Sequence, residues 1–170
     1  MVKEANGHFH YLPAPITDSL RPFPHWPCGG VISTAGDLLT YGKALLNSYH
    51  GRPGGFLKAD TVKAMWNYQP PVDENGNAPQ IAIDGRKVTG IKSRYVLGWE
   101  RMDFPVEAKD SSLSKLEVVY HIGELGGTNA LLMIFPEMNL VVSAIANIGG
   151  IGEHLPALGA QVYHILANPK

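Results

Sequence analysis

The sequence has one cysteine, no long apolar run and no excess of either charge. The single cysteine, Cys28, excludes an internal disulfide, and no second thiol lies nearby to complete a metal or redox pair. Lys and Arg number 14 against 15 Asp and Glu, which gives a net charge of −1. Nucleic acids and anionic membrane surfaces attract strongly basic chains, so this balance predicts neither a nucleic-acid nor a membrane partner.

Signals that would direct the chain to a membrane or a compartment are also lacking. The apolar runs "ALLMIF" and "LVVSAIA" are strand-sized and fall well short of the roughly 20 residues that a transmembrane helix needs. The first residues, "MVKEANGHFHYLPAP", have neither an apolar signal-peptide core nor an Arg-rich transit pattern. We expect no signal, transit or transmembrane segment in this stretch, and the compartment is left undetermined.

The composition suits one globular domain. The chain has 170 residues, 45% of them hydrophobic, which is enough for a single buried core. A capping-box pattern of Thr34 and Asp37 precedes helically spaced apolar residues and predicts a helix from Thr34 to Leu46. A second, shorter helix is predicted around Val62 and Trp66, which share one face with Met65.

Strand signals follow the two helices. The segments "RYVLGWERMDF", "KLEVVYHIG", "ALLMIFP" and "LVVSAIANI" are four strand candidates that predict an antiparallel meander, and Asp84-Gly85 predicts a hairpin before them. A last helix is predicted to cover the sheet with one apolar face, made of Leu155, Leu158, Val162 and Ile165. The fold class is therefore α+β.

The stretch "YHIGELGGTNALLMIFP" holds the residues best suited to chemistry. Strand alternation puts Leu116 and Tyr120 on one face and His121 on the other. Gly123 removes the side chain that would block a ligand lying along the strand, and a fixed backbone amide there can stabilise an oxyanion. The imidazole of His121 is suited to hydrogen-bond a substrate or a catalytic hydroxyl. Without further information, the same residues also fit a strand end shaped by a glycine bulge.

Two segments in this order, "GGVISTAGDLLTYGKALLN" and "HIGELGG…MIFPEMNLVVSAIAN", resemble the C-terminal portion of the serine β-lactamase-like family. That family includes class C β-lactamases, D-alanyl-D-alanine carboxypeptidases, esterases and animal mitochondrial β-lactamase-like proteins. The resemblance implies that residues 1–170 form the C-terminal portion of one β-lactamase-like domain, in which the last helix packs on an antiparallel sheet. It also implies acyl transfer from a small ester or amide.

The resemblance implies a role for each residue of the strand. His121 takes the Lys or His position of the family's third motif, Ile122 the Thr or Ser position and Gly123 the glycine. The backbone amide of Glu124 becomes an oxyanion-hole donor, so His121 and Glu124 are the predicted catalytic groups, and Ile122 and Gly123 the substrate-binding ones. Ile122 lacks the hydroxyl that helps to hold a β-lactam's carboxylate, which favours an esterase, a different peptidase or a non-catalytic homologue.

The family's nucleophile motif, Ser-x-x-Lys at a helix start, is not evident. Its one literal match, Ser112 with Lys115, lies in the polar segment "KDSSLSKLEVV", and we interpret it as a solvated turn. Ser112 is thus the candidate nucleophile to check, and the chain alone is predicted to be inactive. His8 and His10 have metal-compatible spacing but lack a third ligand, so no metal or cofactor is predicted.

Three hypotheses follow from these patterns. The chain is part of a serine hydrolase, or it is a non-catalytic structural or interaction protein that retains the fold. In the third, a separate chain completes the site, which would leave an exposed sheet edge here for self-association or for that partner. The first third of the sequence offers no strand for that edge. An upstream part is therefore expected to be missing through truncation, processing or separation into a subunit.

Overall fold

The computed structural model describes residues 2–3, 9–10, 29–68, 93–107, 113–125 and 127–167. They form a five-stranded antiparallel sheet with helices packed against it, and a separate two-stranded ribbon. The predicted α+β class is confirmed. None of the helices in these ranges is long and apolar enough to cross a membrane.

The elements follow one another in a simple order. The ribbon pairs β1 (Val2–Lys3) with β2 (Phe9–His10). The helices are α1 (Ala35–Tyr49), α2 (Ala59–Asn67) and α3 (Leu155–Ala167), the last preceded by a 3₁₀ turn (Gly152–His154). The sheet consists of β3 (Ser93–Tyr95), β4 (Glu100–Glu107), β5 (Leu113–Leu125), β6 (Thr128–Phe135) and β7 (Leu140–Ala146), each paired with its neighbour in sequence.

Helix α1 begins at the predicted cap. Thr34 Oγ1 accepts a hydrogen bond from the backbone N–H of Asp37 at 3.1 Å and donates one to the Asp37 carboxylate at 2.9 Å. The helix runs beyond the predicted end at Leu46 and stops at Tyr49. The extra turn is held by packing, because the Tyr49 ring stacks on Trp66 of α2 with their centroids 5.2 Å apart.

Helix α2 also matches its prediction. Val62 and Trp66 are completely buried, and Met65 is partly buried beside them. The predicted hairpin at Asp84-Gly85 lies outside the described residues.

The antiparallel meander is confirmed, but one of the four segments predicted as a single strand forms two strands. The segment "RYVLGWERMDF" folds back on itself as the β3–β4 hairpin, in which Val96 N–H donates to Trp99 O at 2.7 Å. Gly98 makes the turn with a φ of +75°, a conformation that residues with a Cβ rarely adopt. The hairpin turn therefore interrupts what the sequence pattern predicts as one strand.

Each face of the sheet has its own apolar core. The core under α1 and α2 is made of Leu45, Leu46, Val62, Trp66, Val96, Trp99, Val119, Leu132 and Ile134. The core under α3 is made of Met102, Leu116, Val118, Tyr120, Leu131, Met133, Phe135, Val142 and Leu155. Alternate residues of β5 and β6 thus enter opposite cores, as the pleat of a strand requires. We call the two sides of the sheet the α1/α2 face and the α3 face.

Helix α3 covers the sheet as predicted, but not with the whole of its predicted face. Leu155 is buried, whereas Leu158 is 44% exposed and Ile165 is 70% exposed. Val162 and Tyr163 pack against the α3 core beside Leu155. Gly159 allows the close approach between helix and sheet, since a Cβ added there would lie 2.5 Å from the sulfur of Met133. A count of large apolar residues misses such a contact, because glycine permits close approach without adding hydrophobicity.

Candidate functional site

The predicted site residues lie on the end of β5. Pairing of β4 with β5 ends at Glu100 opposite Tyr120, whereas pairing of β5 with β6 continues to Leu125 opposite Thr128. Residues 121–124 therefore belong to the stretch of β5 that extends past the start of β4.

The side chains of this stretch divide between the two faces of the sheet. His121 is exposed and its pair partner is Leu132 of the α1/α2 core, so it lies on the α1/α2 face. Gly123 lies on the same face, and a Cβ there would have an ordinary contact of 3.8 Å with Ala130. Ile122 is partly buried against the α3 core instead. The structure brings His121 and Gly123 together and directs the Ile122 side chain away from them.

The backbone of this stretch has a defined direction. In an antiparallel sheet, the backbone N–H and C=O groups of successive residues point alternately to the two neighbouring strands. The hydrogen bond from Val96 N–H to Trp99 O shows which residues of the β3–β4 hairpin point toward each other. When this alternation is traced across the paired residues of β3, β4 and β5, the N–H and C=O groups of Ile122 and Glu124 point toward the side of the strand on which β4 lies. The intervening residues direct theirs toward β6. The Glu124 amide thus points to the region past the start of β4.

Two side chains fix the surroundings of the strand end. A carboxylate oxygen of Glu124 accepts a hydrogen bond from the backbone N–H of Gly150 at 3.0 Å. The side-chain amide of Asn129, which is 1% exposed, donates to the carbonyl of Ile148 at 2.6 Å. Both bonds tie the loop after β7 to the ends of β5 and β6. Sequence reasoning missed this tether, although a polar Asn in the apolar strand "TNALLMIF" is the signal that reveals it.

The remaining sequence candidates do not join this site in the described structure. Ser112 and His8 lie outside the described residues, and His10 belongs to the separate ribbon. Lys115 lies within β5 rather than in the first turn of a helix. Within the ranges that the structure describes, no three His, Cys, Asp or Glu side chains are grouped closely enough to hold a metal ion.

A second polar cluster lies on the α1/α2 face, four residues before His121 on β5. Arg101 donates to the Glu117 carboxylate and to the side-chain oxygen of Asn67 at the end of α2. Burial raises the pKa of Glu117 despite the opposing attraction of Arg101. Burial also raises the pKa of the nearby Tyr49, with Glu117 adding to that effect. The guanidinium of Arg101 lies at the C-terminal end of α2, where the helix dipole favours a positive charge. We therefore interpret the cluster as structural.

Comparison with known proteins gives one family and several distant relatives. The family model described as "Beta-lactamase" matches residues 3–163. Serine beta-lactamase-like protein LACTB, mitochondrial, is similar to the chain: the Mus musculus and Homo sapiens proteins are 24% identical to it over 155 residues. Each match covers 78% of this chain and 26% of the relative. The Bos taurus protein is 23% identical over the same length. The chain thus spans about a quarter of the length of these curated relatives.

Proposed function

The chain belongs to the beta-lactamase family, and from that premise we propose that it contributes one wall of the acyl-transfer site of a serine hydrolase. The observation that carries the proposal is the end of β5, where His121, Gly123 and the Glu124 amide lie past the start of β4. A small ester or amide is the proposed substrate.

Each group in this stretch has a proposed role. The Glu124 N–H stabilises the oxyanion that forms when a serine attacks the substrate carbonyl. The exposed imidazole of His121 hydrogen-bonds the substrate or the attacking hydroxyl. Gly123 leaves room for a substrate lying along the strand, because within the described ranges only Ala130 comes within 4 Å of its Cβ position. The alcohol or amine of the substrate leaves as the acyl-enzyme forms on the serine, water then hydrolyses the acyl-enzyme to release the carboxylic acid, and no cofactor takes part.

The nucleophile in this proposal comes from polypeptide outside the 170 residues. The matched relatives extend over a far greater length than the aligned segment. In the literal Ser112–Lys115 match, Lys115 lies in strand β5 rather than in the first turn of a helix. The proposal therefore expects the chain alone to lack turnover. It also expects the remainder of the site to come from an upstream segment or a separate subunit.

The position of Ile122 bears on the substrate. Its side chain is apolar and packs toward α3, so it supplies no hydroxyl to a bound carboxylate. Hydrolysis in this proposal therefore does not depend on a carboxylate in the substrate, which favours simple esters over β-lactams.

The experiment compares this chain with a longer polypeptide that carries an upstream Ser-x-x-Lys. The chain alone should not hydrolyse an activated ester with saturation kinetics, and the longer form should. In the longer form, Glu124→Pro removes the amide N–H and should lower kcat by about 10²–10³. The control Glu124→Gln retains the amide and should keep most of the activity. Equal loss in both variants would contradict the assignment of the amide.

A non-catalytic protein that retains the fold is the alternative. The apolar residue at Ile122 and the lack of an evident Ser-x-x-Lys in the sequence favour it. It expects the longer polypeptide to lack that motif too. It also expects neither form to hydrolyse the ester, with or without His121→Ala.

A further inference from the structure

Asn129 of β6 is a buried polar residue directly beside the proposed site. It is 1% exposed, and it is the pair partner of Glu124 on β5. The backbone groups of Glu124 point toward the side of β4, so the two residues form a non-hydrogen-bonded pair, the kind in which side chains lie closer together. Both side chains are on the α3 face, since Ile122 and Leu131, two positions away on each strand, pack in the α3 core.

Asn129 anchors the loop between β7 and the 3₁₀ turn, residues 147–151. Its side-chain amide donates to the carbonyl oxygen of Ile148 at 2.6 Å. The far end of the loop is held as well, because Ile151 packs against the α3 core and its carbonyl accepts from the N–H of His154 at 2.9 Å. The middle of the 147–151 loop therefore has a fixed position relative to β6.

The same loop holds the side chain of Glu124. The N–H of Gly150 donates to a carboxylate oxygen of Glu124 at 3.0 Å, and a hydrogen bond to a charged acceptor is stronger than one between neutral groups. Gly150 has a φ of +76°, a conformation that residues with a Cβ rarely adopt. The loop can present this N–H to the carboxylate because the residue is glycine.

These hydrogen bonds close a ring of contacts around the end of β5. The ring leads from Glu124 to its pair partner Asn129, from Asn129 to Ile148, along the loop to Gly150, and back to the Glu124 carboxylate. Strand β6 lies between β5 and β7 in the sheet. Asn129 is therefore the residue through which the loop is fastened to the interior of the sheet.

The end of β5 depends on such support more than the rest of the strand does. Pairing with β4 stops at Tyr120, and in the proposed function the substrate occupies the β4 side of Glu124, so no ladder supports the strand there. A strand paired along one side bends out of its sheet more readily than a strand paired along both sides. Hydrogen bonds on the α3 face oppose that bending, and they thereby fix the direction of the Glu124 N–H.

We propose that Asn129 is a positioning residue for acyl transfer, which fixes the direction of the Glu124 amide through the 147–151 loop and the Glu124 carboxylate. This inference rests on the proposed function, in which that amide stabilises the oxyanion. Such a donor is effective only when its N–H is aimed in advance at the place where the charge develops. Small displacements of the groups that support it therefore lower the rate.

Packing alone does not account for an asparagine at this position. Burial of a side-chain amide costs free energy that its hydrogen bonds must recover, and asparagine is disfavoured in strands. Leucine has the same branched shape and would occupy the core without that cost. The hydrogen bond from Asn129 to Ile148 is thus the feature that distinguishes this residue from an apolar one.

Amide hydrogen exchange, measured by NMR on the 170-residue chain, tests the ring of contacts without any enzymatic activity. Asn129→Leu keeps the branched shape and removes the donor, so the Gly150 N–H should exchange at least tenfold faster relative to the N–H of Val118. Glu124→Ala, on an exposed residue, should have the same effect, whereas Glu124→Gln retains an acceptor and should not. The control Leu116→Val alters the α3 core farther along β5 and should leave the ratio unchanged. An unaltered ratio in Asn129→Leu or in Glu124→Ala would overturn the inference.

Kinetics of the longer polypeptide that carries an upstream Ser-x-x-Lys test the positioning role itself. Asn129→Leu should lower kcat for an activated ester about tenfold and keep KM within about twofold, because the lost alignment matters in the transition state rather than in substrate binding. Glu124→Ala should lower kcat in the same way, and Glu124→Gln should recover most of it. Leu116→Val should leave both constants unchanged, which separates positioning from a general loss of stability.

Failure of this inference differs from failure of the proposed function. If the longer polypeptide is active and Asn129→Leu retains its kcat, the positioning role is wrong and the proposed function stands. If the longer polypeptide without substitutions has no turnover, the proposed function fails, and the positioning role fails with it.

Discussion

Replacing Gly42 with alanine tests how closely helix α1 lies on the sheet. A Cβ at this position would stand 2.6 Å from Cγ1 of Val141 and 3.0 Å from Cδ1 of Leu132. Carbon atoms in contact prefer separations of about 3.5–4.0 Å, so the helix or the strand would have to move. Val141 is β-branched and has little rotameric freedom to move its methyl group away.

Two opposing effects set the change in stability that Gly42→Ala causes. Alanine favours a helix over glycine by about 1 kcal/mol, while overpacking a well-packed core costs about 1–3 kcal/mol. Gly36→Ala, near the start of the same helix, gives the helix preference without the crowding, because its nearest atom is Thr34 Oγ1 at 3.7 Å. We therefore expect Gly42→Ala to be about 1–3 kcal/mol less stable than Gly36→Ala.

Urea denaturation followed by circular dichroism measures both variants. A change of 1 kcal/mol corresponds to a Tm shift of about 2–4 °C in a domain of this size, so thermal scans supply a second reading. Adding Val141→Ala to Gly42→Ala should recover part of the loss by removing the crowded methyl group. If Gly42→Ala were as stable as Gly36→Ala, α1 would not lie at the distance described, and the placement of the α1/α2 face would be wrong.

Three further predictions concern stability. Ser48→Ala removes a buried hydroxyl that accepts from the amides of Phe56 and Leu57 at 3.0 and 3.1 Å; urea titration should show a loss of about 1–3 kcal/mol, and no loss would mean that water replaces the hydroxyl. The raised pKa of Glu117 means that the folded state binds its proton more tightly than the unfolded state. The contribution of this group to stability is therefore present at low pH and lost as pH rises above its ordinary value of 4.5 through the folded-state pKa. Urea titrations across that window should show a shallower decline in Glu117→Gln, and parallel profiles would refute the assignment. Thr34→Ala should lower stability by about 1 kcal/mol through loss of the α1 cap, and an unchanged Tm would contradict the capping role.

Local chemistry made part of the fold predictable. The Thr34 cap and the buried pair of Val62 and Trp66 follow from interactions within a few residues of the chain, and the structure has them as predicted. The β3–β4 hairpin was missed because the turn at Gly98 interrupts a run that otherwise suits one strand. The packing face of α3 was only partly predicted, because Gly159 contributes a close approach rather than hydrophobicity.

The candidate site was also predictable only in part from local sequence patterns. Strand alternation alone predicts that His121 faces away from Leu116, and the two residues do lie on opposite faces. The extension of β5 past the start of β4 depends on where the hairpin turns, so no local pattern predicts it. The tether from Glu124 to Gly150 joins residues far apart in sequence and is equally invisible to local reasoning.

The most direct test of the account is intact-mass spectrometry of the chain after exposure to a serine-reactive fluorophosphonate and, separately, to a β-lactam. The account holds that this chain carries the His121–Glu124 strand without its nucleophile, so it predicts an unchanged mass after both treatments. A single adduct that maps to one serine, with Ser112 the first to check, would contradict it and make the chain an enzyme in its own right.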